Sequence, residues 1–184
     1  YRDEDSRKDR QPEFTQLDLE FSDANPSLVK SNIEKIVQYV FSDAYDCKIN
    51  TPFKSISYID AMNLYGTDKP DMRIVETLID ISDMFLNTEI NFLKDIISSG
   101  GVIKALHTDE LLSRKQIDSI DTQIKELGSN GLGWFKIENK EISGPLAKIL
   151  NDNEKNEILK HGSGTLLFQA GELILISQYL DLIR

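Results

Sequence analysis

The sequence has very few cysteine and histidine side chains. Its 184 residues include one cysteine, Cys47, and two histidines, His107 and His161. A single cysteine cannot form an internal disulfide bond, which fits a reducing compartment or carries no information about the compartment. The two histidines stand far apart and have no cysteine partner at ligand spacing, so we predict no zinc site. The same scarcity gives no basis for a Ser-His-Asp or Cys-His arrangement.

Long apolar runs are also absent. No stretch approaches the roughly 18 apolar residues that a membrane-spanning helix needs, although a hydrophobic content of 40% suffices for a packed core. A net charge of −10 argues against broad, nonspecific binding of nucleic acid but does not exclude a local basic contact. We expect a cytoplasmic protein without a membrane partner, and an organellar matrix is the open alternative.

The first twenty residues carry interleaved charges of both signs and run into an alternating stretch. Over residues 13–21, apolar side chains fall on one face of a period-two pattern and mostly polar ones on the other. This pattern predicts a strand, and residues 1–5 can supply its partner across a charged loop. The hairpin would bring five side chains onto one surface: Arg2, Glu4, Phe14, Gln16 and Asp18.

This set of side chains has the chemistry of a site for a nucleotide and a small charged substrate. The planar guanidinium of Arg2 can bind two phosphate oxygens at once. The ring of Phe14 can stack on a base, and the amide and carboxylate groups can bind polar edges. The alternative is an amphipathic hairpin whose polar face is only solvated, because charged strand faces are common.

Two segments match motifs of a known family. The first comprises the runs Arg2-Asp3-Glu4-Asp5 and Arg10-Gln11-Pro12-Glu13-Phe14-Thr15-Gln16-Leu17-Asp18. It resembles motif 2 of class II aminoacyl-tRNA synthetases, in the form found in aspartyl-tRNA synthetases. The second is Tyr65-Gly66-Thr67-Asp68-Lys69-Pro70-Asp71-Met72-Arg73. It is similar to a segment of the bacterial-type enzymes, with Thr67 and Met72 in place of serine and leucine.

The remainder, from about Asp83, resembles the GAD insertion domain that bacterial-type aspartyl-tRNA synthetases share with some amidotransferase subunits. Its best local matches are residues 112–118 and 131–137. The resemblance implies an α+β chain. Residues 1–82 would be part of the antiparallel-sheet catalytic core of a class II synthetase, and residues 83–184 a small α/β insertion domain.

The resemblance also implies roles for individual residues. Arg2 would be the catalytic residue, holding the α-phosphate of ATP and the reacting carboxylate of aspartate. The other ATP-binding residues would be Asp3, Glu4, Gln11 and Phe14. The aspartate side of the pocket would be lined by Gln16 and Asp18. The acceptor end of the tRNA would meet the loop residues Arg7, Lys8, Asp9 and Arg10. None of these residues would transfer a proton.

The implied reaction activates L-aspartate with ATP and Mg²⁺ to aspartyl-adenylate, and then transfers the aspartyl group to tRNA(Asp). The full enzyme would be a homodimer, and this chain is expected to bind no metal or cofactor tightly. Motifs 1 and 3 of the family are not in the sequence, so we expect the chain alone to fold without catalysing. The alternative function is a noncatalytic tRNA- or protein-interaction module of a synthetase or amidotransferase, in which the GAD-like part is the functional unit.

Local signals predict the secondary structure. Asn25-Pro26 marks a helix start, Gly66 a helix end, and Ser113 with Gln116 a capping box. We expect strands near residues 76–82, 102–106, 132–138 and 166–169. We expect helices over residues 117–127, 145–160 and 172–183, and either state for residues 89–97. The glycine-rich residues 128–133 lie between a helix and a strand, which predicts a turn and not a phosphate loop.

Overall fold

The computed structural model describes residues 11, 13–23 and 25–184. Two compact units make up the chain, Tyr1–Ser55 and Ile56–Arg184. This division lies before the boundary predicted at residues 82 and 83, which stays a prediction about family modules. No helix in the described part of the chain is both long and apolar enough to cross a bilayer.

The first unit has one helix among its described residues, α1 (Pro26–Tyr45). Its start is confirmed, because the side chain of Asn25 accepts a hydrogen bond from the Leu28 N–H at 2.9 Å. Pro26 occupies the first turn, where the backbone needs no donor. No residue of α1 is buried. The helix therefore has no core of its own to pack on.

Residues 13–21 form no strand, so that prediction is wrong. The side chains expected on the core face are exposed, with 70% of Leu17, 41% of Leu19 and 38% of Phe21 accessible. A strand is held by hydrogen bonds to a neighbouring strand. The partner predicted for this one, residues 1–5, lies outside the described residues.

The second unit is built on a five-stranded sheet in the order β1-β2-β5-β3-β4, with every neighbouring pair antiparallel. The strands are β1 (Leu78–Asp80), β2 (Val102–Thr108), β3 (Gly133–Glu138), β4 (Glu141–Ser143) and β5 (Gly164–Gly171). The helices are α2 (Tyr58–Tyr65), α3 (Asn91–Ser98), α4 (Arg114–Glu126), α5 (Asp152–Leu159) and α6 (Leu173–Ile183), with a 3₁₀ helix at Ser82–Phe85. Helices on an antiparallel sheet make the unit α+β, the class that was predicted for the chain as a whole.

The sheet buries side chains on both faces, because successive residues of a strand point to opposite sides. The main core contains Phe85, Leu93, Ile103, Phe135, Ile158, Leu166 and Phe168, all at most 2% exposed. A smaller cluster joins β1, β2 and α6 through Leu78, Leu106 and Leu180. Helix α6 is therefore fixed to the sheet by fully buried apolar contacts.

Most element boundaries follow the local signals. The capping box of Ser113 and Gln116 is present, and Gly66 ends α2 with a positive φ of 75°. Residues 91–98 form a helix, which settles the open alternative for that stretch. The helix predicted over residues 145–160 begins only at Asp152, because Asn151 caps it in a reciprocal pair with Glu154.

Candidate functional site

Most of the predicted site lies outside the part of the chain that the structure describes. This applies to the catalytic residue, two ATP-binding residues and the whole tRNA-contacting loop: Arg2, Asp3, Glu4, Arg7, Lys8, Asp9 and Arg10. Their roles stay predictions.

The other predicted site residues are described and exposed. Gln11, Gln16 and Asp18 are open to solvent, and the ring of Phe14 is 57% exposed. None of these four side chains forms a hydrogen bond or ion pair with another described residue. The four side chains are therefore exposed, and among the described residues they do not line the cavity of the second unit.

The second motif begins where α2 ends and continues as an exposed loop, which we call the Tyr65–Arg73 segment. Ser57 caps α2 by accepting a hydrogen bond from the Asp60 N–H at 3.0 Å. Tyr65 and Gly66 are buried, whereas Asp68 and Lys69 are exposed. The segment thus has a buried base and a charged tip.

Two charges of the segment are paired with each other. The Arg73 Nε donates to Asp71 Oδ1 at 2.8 Å and to Oδ2 at 3.1 Å, and its Nη2 also contacts Oδ2. These hydrogen bonds hold the pKa of the Asp71 carboxyl well below its usual range. Asp71 therefore stays ionised. Its pairing with Arg73 links the two charged residues that follow the exposed Asp68 and Lys69.

Two residues that contact this segment gave no signal in the sequence. The side chain of Arg184 lies against Tyr65, and the backbone of Ser177 lies against Gly66. An isolated arginine and an isolated serine in an apolar helix have no distinctive spacing. Their contacts with the segment become evident only from the packing of α6 in the fold.

A cavity of about 730 Å³ opens elsewhere in the second unit, beside the loop of residues 128–133. The buried Gln169 holds this loop, donating to the Gly131 carbonyl at 2.6 Å and accepting from the Ser129 hydroxyl at 3.1 Å. The loop is therefore a fixed turn, as predicted. At the cavity wall, the Arg114 guanidinium lies 5.4 Å from the centre of the Trp134 ring.

The charges at this cavity are largely compensated. Arg114 pairs with Asp118 at 2.9 Å, and Lys125 pairs with Asp121 at 2.7 Å. Paired cations of this kind have little free attraction for an anionic ligand. We assign no ligand to the cavity.

The two histidines, distant in sequence, meet in space. The rings of His107 and His161 stack with centroids 6.2 Å apart. Burial, and secondarily the neighbouring His107, lowers the pKa of His161. Over the described residues, no group of three or more histidine, cysteine, aspartate or glutamate side chains could hold a metal ion.

Comparison with known proteins places this chain in a family. The model of the family described as tRNA synthetases class II (D, K and N) matches residues 1–160. The chain belongs to this family of class II tRNA synthetases. The match includes both motif segments and most of the second unit.

Individual relatives show which members of the family this chain is similar to. The chain is 46% identical over 159 residues to an aspartate–tRNA(Asp/Asn) ligase of Hydrogenobaculum sp., covering 86% of this chain and 27% of that protein. It is 38% identical over 188 residues to an aspartate–tRNA ligase of Mycoplasma mycoides, covering 100% of this chain and 32% of that protein. The chain thus spans less than a third of the length of these relatives.

Proposed function

We propose that this chain is part of an aspartate–tRNA ligase, which activates L-aspartate with ATP to aspartyl-adenylate and transfers the aspartyl group to tRNA(Asp). The observation that carries this proposal is the 46% identity, over 86% of the chain, to a protein named as an aspartate–tRNA(Asp/Asn) ligase. The name of that relative also includes tRNA(Asn). No observation favours the alternative of a noncatalytic interaction module.

The proposed chemistry relies on positioning and on electrostatic stabilisation of the reacting phosphate. Arg2 would hold the α-phosphate and the aspartate carboxylate, with Glu4 binding the adenine amino group. Phe14 would stack on the adenine, and its 57% exposed ring is accessible for that contact. Gln16 and Asp18 would face the aspartate. ATP would enter with Mg²⁺ as the ion of the full enzyme.

The rest of the proposal concerns the whole protein. We propose that it acts in the cytoplasm or an organellar matrix, as a homodimer, with the loop of residues 7–10 at the tRNA acceptor end. Helix α1 would be covered by other parts of the synthetase, since none of its residues is buried within this chain. The 184 residues alone would not support the reaction, because motifs 1 and 3 of the family are not among them.

Amino-acid-dependent exchange between ATP and pyrophosphate tests this function. The full-length protein should exchange with aspartate and remain silent with asparagine or lysine, the other amino acids of the D, K and N family. The 184-residue chain should be silent with all three. Exchange driven by lysine or asparagine, or by none of the three in a folded full-length protein, would contradict the proposal.

A matched pair of variants tests the adenine contact. Phe14→Ala should raise the KM for ATP about tenfold, because stacking of a base on an aromatic ring contributes roughly 1–3 kcal/mol. Phe53→Ala removes another exposed ring of the same unit, 41% accessible, and should leave that KM unchanged. Equal effects of the two variants would show that Phe14 has no particular role at the nucleotide.

A further inference from the structure

The base of the Tyr65–Arg73 segment rests directly on the backbone of helix α6. A Cβ added to Gly66 would lie 2.1 Å from the carbonyl oxygen of Ser177 and 2.6 Å from its carbonyl carbon. Ser177 is itself 1% exposed, so the helix cannot retreat into solvent at this point. The positive φ of Gly66, 75°, also favours glycine. The segment therefore leaves α2 in direct backbone contact with α6.

A second contact fastens both ends of the segment to α6. The Arg184 guanidinium lies 4.9 Å from the centre of the Tyr65 ring, at the start of the segment. Its Nη1 donates to the carbonyl oxygens of Ile74 and Glu76, just after the end, at 3.4 Å each. Its Nη2 donates to Asp181 Oδ1 of α6 at 3.3 Å. One buried cation thus bridges the two ends of the loop.

The Arg184 side chain is only 2% exposed, so these contacts are not a surface ion pair. A buried guanidinium needs its partners, because an unpaired charge inside a protein is costly. Leu180 on the same helix is fully buried against Leu78 and Leu106 of the sheet. The sheet, α6 and the two ends of the segment are therefore held together as one body.

Between its two held ends, the segment exposes a charged tip. Asp68 and Lys69 lie at this tip and are open to solvent, next to the Asp71–Arg73 pair. A loop that is fixed at both ends presents its tip in a narrow range of positions. This arrangement is suited to a substrate contact and is unnecessary for a solvated turn.

We infer that Gly66 and Arg184 are positioning residues, through which helix α6 of the second unit holds the Tyr65–Arg73 segment in place for the synthetase reaction. The part of the chain that resembles an insertion domain then supports the catalytic part mechanically. The kinetic consequence rests on the proposed function, whereas the mechanical coupling can be measured independently of it.

The test uses Arg184→Ala in the full-length protein, with Arg184→Lys as the conservative variant. Arg114→Ala is the control for an arginine that lies over an aromatic ring and pairs with a nearby aspartate, because Arg114 is 64% exposed and has no hydrogen bond to the segment. Two readouts are taken: deuterium exchange of peptides covering residues 65–76, and the kcat and KM of aspartate-dependent pyrophosphate exchange.

Arg184→Ala should speed deuterium exchange in residues 65–76 but not in β2 or β5, and should lower kcat about tenfold, as expected for a misplaced contact group. Arg184→Lys should recover part of both effects, and Arg114→Ala should show neither. Gly66→Ala, which forces the backbone contact apart, should act in the same direction as Arg184→Ala.

Unchanged deuterium exchange in residues 65–76 would overturn the inference, and so would faster exchange with an unaltered kcat. If the wild-type protein shows no aspartate-dependent reaction, the proposed function fails. The deuterium readout then still decides whether α6 holds the segment.

Discussion

The two units of this chain differ in where their apolar side chains are buried. Helix α1 of the first unit has twenty residues and none is buried, although several large apolar side chains lie on it: Leu28, Ile33, Tyr39, Val40, Phe41 and Tyr45. The second unit buries whole phenylalanines and leucines between a sheet and its helices. Most helical stability in proteins comes from packing of this kind. The second unit carries its own core, whereas none of the α1 residues in the described part of the first unit is buried.

Sequence similarity to the family and division into compact units follow different boundaries along this chain. The family model extends over both units without regard to their packing. Residues 56–82, which resemble the catalytic core, pack with the second unit, and β1 is an edge strand of its sheet. Residues 56–82 therefore belong to the same compact unit as residues 83–184.

Replacing one phenylalanine by alanine in each unit should give the largest difference in the free energy of unfolding. Phe168→Ala removes a ring that is 2% exposed and stacks on Phe135 and Phe85, so it should lower the free energy of unfolding by about 3–5 kcal/mol. Phe41→Ala removes a ring that is 40% exposed and should cost less than about 1 kcal/mol in this chain. Urea unfolding followed by circular dichroism measures both.

Equal losses of unfolding free energy from Phe168→Ala and Phe41→Ala would contradict the difference between the units, because they would indicate that α1 packs against a buried core. Tyr39→Ala, at a side chain that is 70% exposed, is the control for a loss of helix propensity or of surface contacts within the first unit. It should behave like Phe41→Ala.

Lowering the pH should reduce the stability of the second unit by a smaller amount, because both histidines lie in that unit. Burial, and then His107, keeps the pKa of His161 below its unfolded value, so the unfolded chain binds the proton more readily. This contribution to stability is fully present above about pH 6.5, the usual pKa of histidine, and is lost as the pH falls below it.

His161→Asn should flatten the fall in the urea midpoint between about pH 7.5 and pH 5.5, where histidine titrates. Asparagine keeps a polar side chain at the position and cannot take up the proton. An unchanged pH profile in this variant would show that the stacked pair does not control stability in this range.

Sequence reasoning succeeded where a few neighbouring residues decide the structure. Asn25-Pro26, Gly66 and the pair Ser113 and Gln116 set helix ends through local hydrogen bonds and backbone angles, and all three predictions were confirmed. It failed for residues 13–21, which alternate in polarity but form no strand, because alternation alone is a weak and context-dependent signal. It also missed Arg184, whose partners Tyr65, Ile74 and Glu76 are distant in sequence and come together only through the packing of α6.

The most direct test of the difference between the units is amide hydrogen exchange of α1 in two contexts, the 184-residue chain and the full-length protein. In the chain, we expect α1 to exchange quickly while β2 and β5 stay protected, because protection follows buried packing. In the full-length protein, α1 should become at least about tenfold slower to exchange, since its apolar side chains are then covered. Equally strong protection of α1 and of the sheet in the 184-residue chain would contradict the account.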